Sequence, residues 1–544
     1  MAASARAETF THIVVGAGSA GCIIAARLSE DPHRRVLLIE AGGRGRGDPM
    51  LQVPIMTGML LRGNRHVWRF KTGAEPGLKG RSVDLPRGKV LGGSSAINGM
   101  VYVRGLPLDY DLWAQQGMAG WGWEEVAPFF RKSEDFNGPG PAEGHGTEGP
   151  FSVSRRVRPV SPLADCFVAA GLAAGHPRAE DFNGPEPEGF GYYHFSIRNG
   201  RRETTATAFL KEAQARPNLV IRTGWEAARL VLAKDRVTGL ELHRGSRRAT
   251  VACDGEMILA CGAIGSPALL LRSGIGPADE LRGLGIAPAL DSPEVGRNLQ
   301  DHVLIRVSHH TSDAVSLHRL TRVDRAALGF LRAWLTGSGP MSVFPLEAGA
   351  YLRTPGADLP TIQSHFLPAV GSGTVRFNPF APPQNEGPGF MANASVMRPY
   401  SRGRLALTGA ALDAPLDIRV NYLSDERDVT LLVDAVEMLR EVFAQAPFDP
   451  YRGAEIMPGA KLRSRTELAD WVRETASTVH HLCGTCRMGA DDKSVVDSEL
   501  RVRGLEGLRV ADASIFPAIP STNTAAPSMM VGEKAAALIA GSGC

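Results

Sequence analysis

Near its start the chain reads THIVVGAGSAGCIIAARLSEDPHRRVLLIEAGG, from Thr11 to Gly43, and this stretch leaves few folds open to it. A short apolar run (His12 to Val15) leads into Gly16-Ala17-Gly18-Ser19-Ala20-Gly21. A helical pattern follows from Cys22 to Leu28, and a second β-branched and leucine run, Val36 to Ile39, ends at Glu40. This order of strand, glycine turn, helix, strand and acid is a dinucleotide-binding βαβ unit. Gly16 permits the tight turn, Gly18 lets backbone approach a pyrophosphate, and Gly21 lets helix pack closely on strand. The amides of Ser19, Ala20 and Gly21 open a helix whose positive end favours phosphate. Glu40 stands 19 residues beyond Gly21, where a carboxylate holds ribose hydroxyls and disfavours a 2′-phosphate. NAD or FAD is therefore expected rather than NADP.

One such unit is far shorter than 544 residues, so more than one domain is expected. Sixty Lys and Arg against 57 Asp and Glu leave a net charge of +3, which points to no nucleic acid and no polybasic membrane anchor. Seven cysteines are too few for a disulfide framework. The most apolar stretch, Ile258 to Leu271, is interrupted by Gly262, Gly265, Ser266 and Pro267, so no membrane span is expected. With no secretory signal visible, a cytoplasmic location is expected.

Four later segments carry chemistry. In LPRGKVLGGSSAINGMVYVRG (Leu85 to Gly105), bare amides and hydroxyls at Gly92 to Ser95 and the amide of Asn98 suit either a second diphosphate face or a glycine hinge. GAIGSPALLLRSGIGP (Gly262 to Pro277) sets small residues before a leucine run. STVHHLCGTCRMG brings together His480, His481, Cys483 and Cys486, and VADASIFPAIPSTNTAAPSMM lies near the C-terminus. The His and Cys spacing admits zinc, a CxxC redox pair or a catalytic base. Zinc lacks a second ligand pair elsewhere, so no metal is expected, and the redox pair lacks a thioredoxin-like context. The hexapeptide EDFNGP occurs at Glu134 to Pro139 and at Glu180 to Pro185; nothing else repeats at that interval, and it reads as coincidence.

Together with VGRNLQDH (Val295 to His302), these segments resemble the glucose–methanol–choline (GMC) flavin oxidoreductases, in the family's order and over nearly the whole chain. The resemblance implies an α/β fold (α+β overall), with a Rossmann-like FAD-binding domain and an inserted substrate domain on an antiparallel sheet. The FAD-binding domain would take residues 1–150, 199–301 and 475–544, and the substrate domain 151–198 and 302–474. Strands are expected within Leu219 to Leu232, Glu256 to Leu259, Val303 to Val307 and Arg404 to Leu407, the last two in the substrate sheet. The Gly-, Pro- and Asn-rich segment Gly371 to Phe390 is either a loop over the substrate entrance or a plain surface loop. Beyond the glycine turn and Glu40, the resemblance puts Ala41, Leu91, Gly93, Ser94, Asn98, Gly99, Val101, Ala227, Asp512, Thr524 and Pro527 around FAD. It makes His481 the base in H-x-x-G-T-C-x-M-G and Asn523 its partner, and leaves Cys483 and Cys486 as packing residues. Ala525 departs from the family's usual polar residue there. His480, His365 and Phe366 are expected to face the substrate. Some relatives tether flavin through a histidine where this chain has Ile97, so the FAD is expected to be non-covalent.

Alcohol oxidation moves a hydride to flavin N5 and a proton to a base; an imidazole accepts that proton, and an amide N–H holds the developing alkoxide. The expected activity is oxidation of small primary alcohols, aryl, furanic or aliphatic, to aldehydes, with oxygen or a quinone-like or dye-like acceptor. The alternatives are a choline dehydrogenase-like activity and a non-redox hydroxynitrile lyase on the same fold.

Overall fold

A computed structural model describes residues 8–139, 143–156, 158–312, 314–371 and 387–541. Most of Gly371 to Phe390 lies outside them. The chain opens with β1 (Thr9–Val15), α1 (Ser19–Leu28) and β2 (Val36–Glu40). Every residue of β2 is buried, as are Ile13, Val14 and Val15, because the sheet is covered on both faces. The expected alternating stretch forms two strands, β3 (Leu219–Thr223) and β4 (Glu226–Ala233), separated at Gly224, which sits at φ +77°. With β5 (Arg236–Arg244) and the long β6 (Arg247–Leu259) they complete a sheet of order β3-β2-β1-β6-β5-β4. Leu508–Val510 adds to β6, and β3, β2, β1 and β6 run parallel. Chain direction along the sheet reverses on either side of β1, so the crevice at its carboxyl end is where a ligand belongs.

The second sheet contains β7 (Val303–His310), β8 (Ala348–Leu352), β9 (Ile362–Leu367) and β10 (Gly389–Val396). Its order is Glu455–Met457, β7, β10, β9, β8, Gly189–Tyr192, and every pairing is antiparallel. Ser477–Thr478, grouped by sequence with the first sheet, pairs instead with Val303 and Leu304. Arg404–Leu407 is a strand but not part of this sheet. It forms a separate ribbon with Leu416–Arg419, held where the Leu405 amide donates to the Gly296 carbonyl.

Strand parity divides the second sheet into two faces. One row crosses it through Arg306, Asn393, His365 and Gly349, and the neighbouring row carries Gln363 and Tyr351. The opposite face carries Ile305, Val307, Phe366 and Phe390. Phe366 stacks on Phe167 with centroids 4.7 Å apart, inside an aromatic core with Phe390 and Phe448. The expectation that Phe366 faces substrate is therefore overturned: it is one residue out of phase with Gln363 and His365, and one residue along a strand reverses the side chain.

Candidate active site

The crevice at β1 is built from backbone. Gly16 lies at φ +99°, and a Cβ there would stand 2.5 Å from the Ala260 carbonyl oxygen. A Cβ on Gly21 would stand 1.9 Å from the Gly16 oxygen, so only glycine lets α1 seat against the turn. The N-cap of α1 is Gly18, with no side chain to cap the first amides, those of Ser19 and Ala20. The second glycine segment closes on the first: the Gly92 amide donates to the Ala17 carbonyl at 2.8 Å, and a Cβ on Gly93 would meet the Gly18 Cα at 2.7 Å. Such a cradle, with an uncapped helix end and no room for side chains, fits a dinucleotide pyrophosphate.

Glu40 accepts from the amides of Ala17 and Gly42 at 3.1 and 2.8 Å, and burial pushes its pKa up to about 7. Ala41 follows it at the end of β2, where Ala227 lies close by on β4: the neighbouring Trp225 amide donates to the Glu40 carbonyl. Leu91 bonds through its amide to Gly43, and Ser94 accepts from the Gly88 amide. Asn98 accepts from Met100 and from the buried Arg202, whose pKa burial lowers to about 9. Gly99 packs under Phe344, and Val101 is paired with Phe195. The Asp512 carboxylate accepts from Gly262, Ser266 and Ser514, fastening the helix Gly262–Arg272. Thr524 and Pro527 sit at the start of the C-terminal helix Ala525–Gly541, whose Gly532 lies against Ala20 of α1. Ile97 is buried among Val90, Ala96, Leu51 and Leu60. Cys483 and Cys486 are fully buried free thiols, pushed well above the usual thiol pKa by burial.

His481 and Asn523 come together from segments 42 residues apart, with Asn523 Nδ2 3.1 Å from His481 Nε2. The other ring nitrogen, Nδ1, lies 2.8 Å from Nδ1 of His302. His302 Nε2 is 2.9 Å from the Met397 carbonyl oxygen, which only accepts, so Nε2 of His302 carries its proton. In a neutral His302, Nδ1 is then the acceptor and His481 donates from Nδ1–H. The chain of bonds therefore leaves a lone pair on His481 Nε2, facing Asn523. Asn523 is oriented in turn, because Gln363 Nε2 donates to its Oδ1 at 3.0 Å. Asp301 fixes the backbone: its carboxylate accepts from the His481 amide at 2.6 Å and from the hydroxyls of Thr478 and Tyr422 at 2.5 Å.

Burial holds His481 well below the ordinary histidine pKa, and its charged or titratable neighbours, His302, His365, His480 and Arg87, push the same way. His302 and His365 are lowered to about 4, chiefly by burial. His365 stacks on Tyr193 beside Asn523. His480 is lowered to about 3 by burial, with Arg87 and Arg306 nearby, and its carbonyl accepts from Arg87. The sequence reading missed His302, Asp301 and Gln363 as site residues. The first two close VGRNLQDH, and Gln363 lies two residues before His365 on the same strand.

A buried, neutral imidazole with an unprotonated Nε2 held by an oriented amide, beside a pyrophosphate cradle, is equipment for taking a proton next to a redox cofactor. The GMC oxidoreductase models match residues 10–304 and 399–532. The chain belongs to the GMC oxidoreductase family. It is 43% identical over 536 residues to the oxygen-dependent choline dehydrogenase of Brucella anthropi, covering 97% of this chain and 95% of that protein. It is 42% identical over 536 residues to the one from Burkholderia thailandensis, covering 97% and 93%. Among solved structures, pyridoxine 4-oxidase from Mesorbium loti superposes with a TM-score of 0.86 at 35% identity, over 97% of this chain and 98% of that one. Formate oxidase from Aspergillus oryzae RIB40 gives 0.91 at 26%, over 99% of each. As a GMC oxidoreductase, this protein is an FAD-dependent enzyme acting on CH–OH groups. No helix among the described residues is long and apolar enough to cross a membrane.

Proposed function

We propose that this GMC oxidoreductase oxidises primary alcohols to aldehydes, with the first sheet's segments holding FAD and the second sheet walling the alcohol site. The observation that carries this reading is the unprotonated Nε2 of His481, kept without a proton by the bond from Nδ1 to His302 and turned to the Asn523 amide. Bound FAD supplies the hydride acceptor. His481 takes the hydroxyl proton at Nε2, and Asn523 Nδ2 donates to the alkoxide that forms. Gln363 keeps that amide turned toward the imidazole. Because His481 is neutral well below pH 6.5, the base is ready without prior deprotonation. The glycine cradle binds the pyrophosphate. The apolar burial of Ile97 offers no nucleophile, so acid precipitation should release all flavin into the supernatant.

Oxygen is the acceptor we favour, since the relatives that match over nearly the whole chain are named oxygen-dependent. Those names also favour choline as a second reading of the substrate. Anaerobic mixing with benzyl alcohol or hydroxymethylfurfural should bleach the flavin, and readmitted oxygen should restore it with peroxide formed. A flavin that stays yellow with every alcohol would remove the proposal and leave a lyase or a passive binder.

A further inference from the structure

The row that places His365 beside Asn523 continues across two strands to Asn393 and Arg306, on the same face of the sheet. Arg306 is half-buried and has no hydrogen-bond or ion-pair partner among the described residues. Its neighbours on that face are also unmet. Asn393 Oδ1, His365 Nε2, Ser308 Oγ and His480 Nδ1 are buried without a hydrogen-bond partner. Buried polar groups in native proteins are ordinarily paired, and four unmet groups beside an unpartnered guanidinium mark a surface that a polar ligand completes. The sign of that ligand follows from the surrounding charges. The groups acting on His480, His481 and His365 are histidines, Arg87, Arg306 and the Asn523 amide, with no carboxylate among them. Asp301 is already saturated by Thr478, Tyr422 and the His481 amide.

We propose that the substrate is an alcohol carrying an anionic group, a carboxylate above all, which Arg306 grips together with the Asn393 amide while its hydroxyl meets His481 and Asn523. This rests on the alcohol-oxidising reading and narrows it. Two interstrand gaps separate His365 from Arg306, about 10 Å between Cα atoms. An arginine reaching back from there meets an anion roughly one ring away from the reacting carbon. Tyr193 stacked on His365, with Phe344, Leu346 and Met397 in the same apolar cluster, suits a flat spacer. A quaternary ammonium would face Arg306 with no carboxylate to receive it, so choline is a poor fit despite the identity to choline dehydrogenases.

The probes are 4-(hydroxymethyl)benzoate, benzyl alcohol and choline, with flavin reduction read by stopped flow on the holoenzyme. The carboxylate should give the highest kcat/KM and choline the lowest. Arg306→Gln should lower the ratio of carboxylate to benzyl alcohol by about 10- to 100-fold, the worth of one charge-assisted pair. Arg306→Lys should recover part of it. A guanidinium merely solvated at the cavity rim would leave the ratio unmoved, and that result, or choline outpacing the carboxylate, overturns the inference. Terephthalate titrated against oxidised enzyme gives an arm independent of turnover: it should perturb the flavin spectrum in wild type and bind at least tenfold more weakly in Arg306→Gln. If no alcohol reduces the flavin, the oxidase reading fails, and the terephthalate arm still decides whether Arg306 builds an anion site.

Discussion

Two clusters of buried histidines lie in this molecule, and they differ in what touches the ring nitrogens. Around His481 the partners are another imidazole, an amide and a carbonyl, and every histidine there is held below its ordinary pKa. Around His145 the partners are carboxylates: Nδ1 lies 2.7 Å from Glu134 and Nε2 2.6 Å from Asp181. Burial pulls His145 down, but the hydrogen bonds to Asp181 and Glu134 more than reverse it. A carboxylate is the nearest partner of each nitrogen, so both nitrogens donate and the ring is held toward the imidazolium. Arg104 pairs with the same Glu134, and the buried charges balance. His145, Asp181 and His194 stand close enough together for a metal ion, but both His145 nitrogens are already committed. Depth of burial is alike in the two clusters; a base needs a lone pair with no carboxylate to fill it by protonation, and a structural cation needs the reverse.

The two clusters should differ most in His481→Ala. Loss of a general base costs about 10²- to 10⁴-fold, and flavin reduction by alcohol should fall by that much while bound FAD stays near normal. His145→Ala should do the opposite: the folded enzyme should reduce at nearly the wild-type rate, but removing one member of a buried ion cluster should cost about 3–5 kcal/mol of unfolding free energy. Stopped-flow reduction and urea denaturation on both variants read the two quantities separately. A His145→Ala enzyme that folds well and turns over poorly would dissolve the distinction.

How much of this was legible in the sequence follows the same division. The glycine turn, α1 and Glu40 are contiguous, and their spacing is set by local backbone geometry, so they could be read directly. His481 and Asn523 were legible through short motifs. The proton-holding chain was not: His302 and His481 stand 179 residues apart, and nothing local says which imidazole donates. His365 and Phe366 are adjacent and both suit a substrate wall, but parity sends one to the site and the other to the aromatic core. The two EDFNGP copies, read as coincidence, meet in space, the first supplying Glu134 and the second Asp181 to His145. Their matching positions do different jobs, so the repeat as such predicts nothing.

Acid titration should separate the clusters by sign. His302 and His365, lowered to about 4, and His480, lowered to about 3, are neutral when folded and gain a proton more readily when unfolded. Stability from this cluster is therefore lost as pH falls below about 6.5, at up to about 1.4 kcal/mol per pH unit for each histidine. His145 has the opposite sign: its contribution is complete below the unfolded value of about 6.5 and is lost as pH rises through its raised folded value. In urea melts across pH, His365→Gln should flatten the acid limb, and His145→Gln should flatten the alkaline one. Identical profiles for the two variants would contradict the assigned protonation states.

The smallest effect should come from the two asparagine side chains that serve these clusters. Asn523 gives one neutral N–H to the site, and removing a single hydrogen bond is worth about 1 kcal/mol, so Asn523→Ala should slow flavin reduction by roughly fivefold. Its loss also frees Nε2 of His481 from a bond made in the resting enzyme, which offsets part of the cost. Asn183 is the matched control: its Oδ1 accepts from the Arg104 amide and its Nδ2 donates to the Tyr102 carbonyl, next to the His145 cluster and away from the lone pair. Asn183→Ala should lower the melting midpoint and leave the reduction rate within about twofold, because an amide that bonds only to backbone stabilises no charge in the reaction. Should Asn523→Ala lose more rate than His481→Ala, the amide rather than the imidazole would be the group that controls the alcohol proton, and the lone pair on Nε2 would lose its role.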